Sequence, residues 1–270
     1  MARRTAESKD EAQLYRVNVL DRAIAILKIF RTGEPSLSLS EIAARTELHV
    51  STCLRILSVL RRHGLVSKDE DSGRYRLGYE VLALAEIARS SGGLVDLARP
   101  MLRELSQNFN ETAAISVRAG DSRIDLDQVV GEQSVRRVIT LGVKKPLYAG
   151  AASRVLLSGL SDKELEGYLQ RTSLERLASR TITDPEELKE SLRRIRRDGY
   201  AESVKEQFEE SGAGVVAPVY DARGQLIAAV GVSVPQFRFT RELRAKLIPA
   251  VKETAARISR AIGGSGAQRA

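Results

Sequence analysis

Before residue 63 the apolar positions recur every three or four residues in three short stretches, and after it they alternate. In "NVLDRAIAILKIF", Leu20, Ala23, Ile24 and Leu27 stand at i, i+3, i+4 and i+7, which predicts a helix from about Asn18 or Val19 with those four on one apolar stripe. Ser40 then offers an N-cap for a short helix "EIAARTE", with Ile42 and Ala43 facing inward and Leu48 filling the turn that follows. A third helix is predicted from Cys53, Ile56, Leu57 and Leu60, again at helical spacing, with Ser51, Thr52, Arg55, Ser58 and Arg62 on its other side. Past Gly64, "LVSKDEDSGRYRLG" changes to period two around an acidic, Gly-containing turn. A β-hairpin is expected there, with Arg74 and Arg76 alternating with Tyr75 and Leu77.

From Tyr79 to Arg89 the pattern is helical again, with Val81, Leu84, Ala85 and Ala88 on one stripe, and Gly92 or Gly93 is suited to stop it. A second amphipathic helix follows with Leu94, Leu97, Met101, Leu102, Leu105 and Phe109, in which Pro100 is tolerable near the first turn or as a kink. Beyond it strand-like and helix-like segments mix. "TAAISV", "RIDLDQVV" and "VRRVIT" read as strands, and "GAASRVLLSGL", "DKELEGYLQR" and "PEELKESLRRIRRDG" as helices. The last of these opens with Asp184 as N-cap, Pro185 and two glutamates and closes in the basic run Arg193 to Arg197. That order follows the helix dipole, so the run is assigned to helix stability. "AGVVAPVYDARGQLIAAVGVSV" predicts an apolar hairpin of an antiparallel sheet, and a final helix carries Leu243, Leu247, Val251 and Ala255.

The fold class expected is α/β in the broad sense, more narrowly α+β, in two domains. A winged helix-turn-helix spans 16–78, a linker helix 79–92 and a second domain with a mainly antiparallel sheet 93–262, with 1–15 and 263–270 disordered. Composition changes this picture little, but charge sharpens it. The net charge is +8, and residues 1–78 hold 14 Lys and Arg against 10 Asp and Glu, leaving 29 against 25 for residues 79–270. The excess per residue is therefore more than doubled in the first segment, as a polyanion-binding head requires. No apolar run approaches the ~18 residues of a membrane span, and none follows the N-terminal arginines, so a cytoplasmic protein without a membrane partner is expected.

Chemistry is scarce in this chain. With one cysteine and two histidines there is no internal disulfide, no metal-ligand spacing and no Ser-His or Cys-His set for the second half. The phosphate loop, the nucleophile elbow and the full dinucleotide fingerprint are all missing, and "GAG" at 212–214 precedes a strand instead of opening a helix. Asp125 and Asp127 fall on one face of a predicted strand, but no second acid cluster accompanies them, and a solvated or pocket-rim role is expected. The expectation is no enzyme, no catalytic residues, no metal and no cofactor; Cys53 is read as a small core residue.

The layout of the first segment points instead to nucleic acid. Short hydroxyls at the start of the third helix let it approach the ~12 Å major groove, and Arg can bond guanine edges or phosphate. A solvated amphipathic helix shows the same composition, but three helices followed by a basic hairpin is a far more specific order. The DNA-contacting residues expected are Ser40, Ser51, Thr52, Arg55, Ser58 and Arg62, with Arg74 and Arg76 on phosphates.

On "LDRAIAILKIF", "LSLSEIAARTELHVSTCLRILSVLRRHGLV" and "SGRYRLG" the chain resembles the IclR family of bacterial transcription regulators. It departs from the family pattern at His49, Val50 and Leu54. "KKPLYAGAASRVLL", "RTITDPEELKESLRRIRRDGYA" and "AGVVAPVYDARGQLIAAVGVSVP" with Arg238 resemble the GAF-like effector domain of the same family, so the likeness runs over about residues 16–262. It implies a pocket for a small organic molecule, an aromatic or carboxylic catabolic intermediate, lined by Ala149, Gly150, Ala152, Ser153, Gly214, Val216, Gly231 and Ser233. Glycine at 214 and 231, where relatives carry polar side chains, suggests a ligand larger or less polar than a two- or three-carbon oxoacid. Independently of the resemblance, small residues at a helix N-terminus leave N–H groups and room for a carboxylate, although close packing of that helix on the sheet asks for the same residues.

The function expected is a transcriptional regulator, a homodimer or dimer of dimers, whose binding to double-stranded operator DNA is modulated by a small-molecule effector, as repressor or activator. The linker helix would convert ligand binding into altered spacing of the two recognition helices. An architectural DNA-binding protein would instead be indifferent to metabolites, and an enzyme with a DNA-binding head would show turnover.

Overall fold

The computed structural model describes residues 18–30, 34–90, 93–207 and 212–263. The ends expected to be disordered fall outside these residues, apart from Gly263, and so does Gly92. The chain folds as two compact units, residues 1–88 and 89–270.

In the first unit, α1 (Asn18–Lys28) leads to β1 (Ser36–Leu37), α2 (Leu39–Thr46), α3 (Val50–Arg62), β2 (Val66–Lys68) and β3 (Tyr75–Leu77). The expected hairpin is present, and β1 adds a third strand to it in the antiparallel order β1-β3-β2, with Ser36 opposite Arg76 and Leu37 opposite Tyr75. Ile26, Leu37, Ile42, Cys53, Leu57 and Tyr75 form the centre of the core. Leu37 lies in the short stretch between helices, where two residues are too few for periodicity to act on. Gly78 admits no side chain, since a Cβ there would stand 1.9 Å from the carbonyl oxygen of Gly64.

Three expectations for this unit change. The apolar stripe of α1 is rotated: Ile26 is buried with Ala23 and Leu27 packed against the core, whereas Leu20 and Ile24 are exposed. Both arcs of that helix are aliphatic, and spacing alone set the stripe too far round, so that only Ala23 and Leu27 of the four expected positions meet the core. Ser38, not Ser40, caps α2. The Ser38 side chain accepts from the Glu41 backbone N–H, Glu41 accepts from the Ser38 N–H at 2.7 Å, and Ser40 sits inside the first turn. The "S-x-x-E" box at 38–41 outcompetes the later serine by satisfying two otherwise orphaned backbone donors. The helix α4 (Glu80–Ser90) forms as expected, but Val81 is only half-buried and Leu82, Leu84 and Ile87 are exposed.

The second unit is a six-stranded antiparallel sheet in the order β6-β5-β4-β9-β8-β7. Its strands are β4 (Thr112–Ala119), β5 (Ser122–Val129), β6 (Lys144–Pro146), β7 (Ala201–Val204), β8 (Gly212–Tyr220) and β9 (Leu226–Pro235). On one face lie α5 (Leu94–Phe109) and α9 (Arg241–Ala261), packed through Leu102, Leu105, Leu247 and Val251 onto Ile115, Val230 and Val232. On the other lie α6 (Ala151–Ser158), α7 (Asp162–Arg171) and α8 (Pro185–Asp198), with Val155, Leu156, Leu188 and Leu192 against Val216 and Ala229. Pro100 occupies the second turn of α5, and Leu97, expected inward, is exposed.

Residues 135–140 are not a strand. The Gln128 side chain takes the place of a neighbouring strand, accepting from the Ile139 N–H at 2.8 Å and donating to its carbonyl at 2.6 Å. β6 and β7, absent from the expectation, pair at the two edges of the sheet, where three or four residues of backbone pairing need no strong pattern. Among the described residues no helix is long and apolar enough to cross a membrane.

Candidate DNA-reading face and effector cavity

α3 is built by its own sequence. Cys53, Ile56, Leu57 and Leu60 are buried, and the polar side left over carries exposed Ser51, Arg55, Ser58 and Arg62, with Thr52 half-buried. His49 caps the helix, its Nδ1 accepting from the Ser51 N–H at 3.3 Å. Two of the expected contact hydroxyls have partners already: Ser51 Oγ bonds His49 Nδ1 at 2.7 Å, and Ser58 Oγ donates to the Arg55 carbonyl at 2.8 Å. Val50, Leu54 and Val59 are also exposed on this helix.

The two wing arginines differ. Arg76 is exposed, its Nε donating to Ser67 Oγ across the hairpin at 3.2 Å. Arg74, expected to meet phosphate, is engaged inside the unit: its Nη2 donates to the Ser36 carbonyl and to Glu41 Oε2, both at 2.9 Å, and its Nε to Ser36 Oγ at 3.3 Å. The guanidinium thus ties the wing to β1 and to the capping box of α2.

In the second unit a cavity of about 560 Å³ opens on the α6 side of the sheet. Of the eight residues expected to line it, Gly150, Ala152, Gly214, Val216, Gly231 and Ser233 do so. Ser153 is buried just behind and accepts from Arg123 Nη1 at 3.3 Å, while Ala149 is buried in the helical layer. The backbone alone accounts for Gly214 and Gly231: a Cβ would stand 2.6 Å from the Val232 carbonyl oxygen in the first case and 2.3 Å from that of Val215 in the second. No ligand size follows from those two glycines.

The expected N-terminal anion site on α6 already has a carboxylate beside it. Glu206 is held by Arg154 at 3.0 and 2.7 Å, and burial raises its pKa against that pairing and against the nearby Gly150 N–H. The charged centre of the cavity lies elsewhere, on β5. Asp125, only 2% exposed, accepts from Arg123 Nη2 at 3.3 Å, Lys145 Nζ at 2.7 Å and Ser116 Oγ at 2.5 Å. Burial pushes its carboxyl up, but Arg123 and Lys145 outweigh that and hold it below the ordinary value, while burial depresses Arg123 and Lys145 in turn. Arg123 is 6% exposed, and its Nε is buried without a hydrogen-bond partner. Two cations therefore surround one carboxylate at a largely apolar cavity.

Asp125 and Asp127 do not share a face. A bulge leaves Leu126 unpaired, because Asp127 faces Ile115 and Asp125 faces the adjacent Ser116. Asp125 consequently lines the cavity, and Asp127 turns to the opposite side, where Arg99 of α5 holds it at 3.2 Å. Neither is solvated; Asp125 fits the pocket alternative of that expectation, and Asp127 fits neither. Arg123 and Lys145 were missed, although polar Arg123 and Asp125 alternating with apolar Ile124 and Leu126 was a usable signal. Among the described residues no cluster of His, Cys, Asp and Glu is placed to hold a metal ion.

Comparison with known proteins fits both halves. A profile described as the IclR helix-turn-helix domain matches residues 19–70, and one described as Bacterial transcriptional regulator IclR C-terminal matches residues 88–260. The HTH-type transcriptional regulator KipR of Bacillus subtilis is 33% identical over 242 residues, covering 90% of this chain and 96% of KipR. A crystal structure of a transcriptional regulator from Rhodococcus sp. RHA1 superposes with a TM-score of 0.81 at 33% identity, covering 91% of this chain and 98% of that one. An IclR homolog from Microbacterium hydrocarbonoxydans, crystallised with 4-hydroxybenzoate, shares the fold at a TM-score of 0.79 and 24% identity over 90% of this chain and 98% of its own. The chain belongs to the IclR family of DNA-binding transcriptional regulators, a helix-turn-helix head followed by a C-terminal effector domain.

Proposed function

We propose that the regulator's effector is an organic carboxylate with an apolar body, bound in the cavity of the second unit, and that its binding alters operator affinity. The observation that carries this is the Arg123–Asp125–Lys145 cluster: two cations against one carboxylate, with Arg123 Nε buried and unpartnered. A bound carboxylate would balance the excess charge, which is costly to leave unmet in a low-dielectric site. Val138, Ile139, Val143 and Leu177 supply apolar wall, and about 560 Å³ accommodates more than a two-carbon acid. The 4-hydroxybenzoate held by the Microbacterium protein belongs to this chemical class.

On this reading Ser51, Thr52, Arg55, Ser58 and Arg62 face the major groove and Arg76 a phosphate, with Ser40 at the edge of the same surface and Arg74 as an internal brace. The chain acts in the cytoplasm as a homodimer or dimer of dimers and has no catalytic role. Exposed Val19, Leu20 and Ile24 on α1 and Leu82 and Leu84 on α4 support self-association, since nothing among the described residues of this unit covers them. α4 would carry the coupling: a ligand favouring one dimer arrangement shifts the population of head spacings, and one with equal affinity for both shifts nothing.

The test is the melting temperature of the full chain with benzoate, benzamide and glyoxylate, repeated with Arg123→Ala. Benzoate is expected to raise it in the wild type and not in the variant, with benzamide inert. Equal shifts from acid and amide, or an undiminished shift in the variant, would remove the assignment, and a response to glyoxylate alone would remove the apolar body.

A further inference from the structure

We propose that Leu54 is a specificity determinant of this regulator, reading the C5-methyl group of a thymine in each operator half-site. The inference rests on α3 being the helix that enters the major groove. Leu54 is 50% exposed in the N-terminal half of that helix, the half that reaches deepest towards the base edges in helix-turn-helix docking. At about 100° of rotation per residue, Ser51, Arg55 and Ser58 lie within roughly 60° of one another and Leu54 borders that sector, one helical turn from both serines.

The hydrogen-bonding state of its neighbours supplies the argument. Ser51 Oγ is bonded to His49 and Ser58 Oγ donates to the Arg55 carbonyl, so both hydroxyls beside Leu54 already have a partner inside the protein and keep only part of their hydrogen-bonding capacity for a base. On Leu54's own flank, two turns along, Arg61 is held by Glu70 at 3.1 Å. Arg55 is the one cation in the first two turns of α3, and beside it that surface carries the two bonded serines, half-buried Thr52 and exposed Val50 and Leu54. Such a surface gains little from base-edge donors and acceptors. The major groove offers one apolar feature, the thymine methyl, and aliphatic contact with it distinguishes A·T pairs from all others. An exposed leucine elsewhere would need no explanation, but on a groove-facing surface it would bury a polar base edge without a partner unless a methyl group met it.

The experiment uses the full chain and a duplex selected by it from a randomised library. Each thymine is replaced in turn by deoxyuridine, which removes only the methyl group, and affinity is measured by fluorescence anisotropy for wild type, Leu54→Ala and Leu54→Met. The expected result is one position per half-site at which loss of the methyl weakens wild type about fourfold, the value of one buried methyl-sized group. Leu54→Ala should bind the thymine and uracil duplexes equally, and Leu54→Met should keep the preference. Circular dichroism melting of Leu54→Ala checks that this exposed position leaves the fold intact. Wild type indifferent to every thymine-to-uracil change, or an undiminished preference in Leu54→Ala, would overturn the proposal while leaving sequence-specific binding in place. Failure to select any sequence would overturn it together with the assignment of α3 as the reading helix.

Discussion

Replacing Arg74 by alanine separates a phosphate contact from an internal brace. Truncation removes two hydrogen bonds to Ser36, at 2.9 and 3.3 Å, and leaves the Ser36 carbonyl to find water. At about 0.5 to 1 kcal/mol for each of these part-exposed bonds, the loss is about 1 to 2 kcal/mol. The ion pair with Glu41 adds little, because both side chains are about 40% exposed and solvent screens the pair. The expected consequence is amide exchange about five- to thirtyfold faster in residues 36–46 and 74–77 of the full chain, read by mass spectrometry under conditions where local opening is in rapid equilibrium. The slope of log affinity for DNA against log salt should be nearly unchanged, whereas Arg76→Ala, which removes an exposed cation, should flatten it by about 0.9. Unchanged exchange together with a slope reduced by about one in Arg74→Ala would refute the brace and return Arg74 to the phosphates.

Ser38→Ala should destabilise the head by about 1 kcal/mol, while Ser40→Ala should stay within about 0.5 kcal/mol of wild type, both measurable by urea unfolding of the full chain. The reverse order would place the cap at residue 40. Gly231→Ala sets a Cβ 2.3 Å from the Val215 carbonyl oxygen, so an overpacking cost of about 1 to 3 kcal/mol is expected in thermal melting of the second unit. An unchanged melting point would show that β8 and β9 can separate there freely. Asp125 has a folded-state pKa below its ordinary 3.8, so its stabilising contribution is complete above that value and lost as pH falls through the depressed one. The melting-temperature gap between wild type and Asp125→Asn should therefore be constant from about pH 7 to 5 and close below about pH 4; a gap unaffected by acid would mean the carboxylate is not held by its cations.

Local order was legible wherever one residue repeats its environment many times. Helical spacing located α3, α5, α7, α8 and α9, and the "S-G-R-Y-R-L-G" alternation located the wing, because every turn or pair of residues reports the same buried side. The exposed face of α3 and the small residues around the start of α6 were legible for the same reason. What failed had a partner far along the chain. The inward arc of α1 was decided by which of two aliphatic arcs met the core, and Arg74 by Ser36 and Glu41, 38 and 33 residues away. The opposed directions of Asp125 and Asp127 came from one bulged residue, which reverses a period-two reading without altering composition. The charged centre of the cavity joins Arg123, Asp125 and Lys145 with Ser116 from three paired strands, and no spacing in the sequence marks that convergence. Periodicity determined by itself where the long helices and the wing form and which residues of α3 face outward, since both follow from local geometry. Only the tertiary structure decided which charges are spent internally and which remain to meet DNA or ligand, because a charge's partner is set by distance in space and not along the chain.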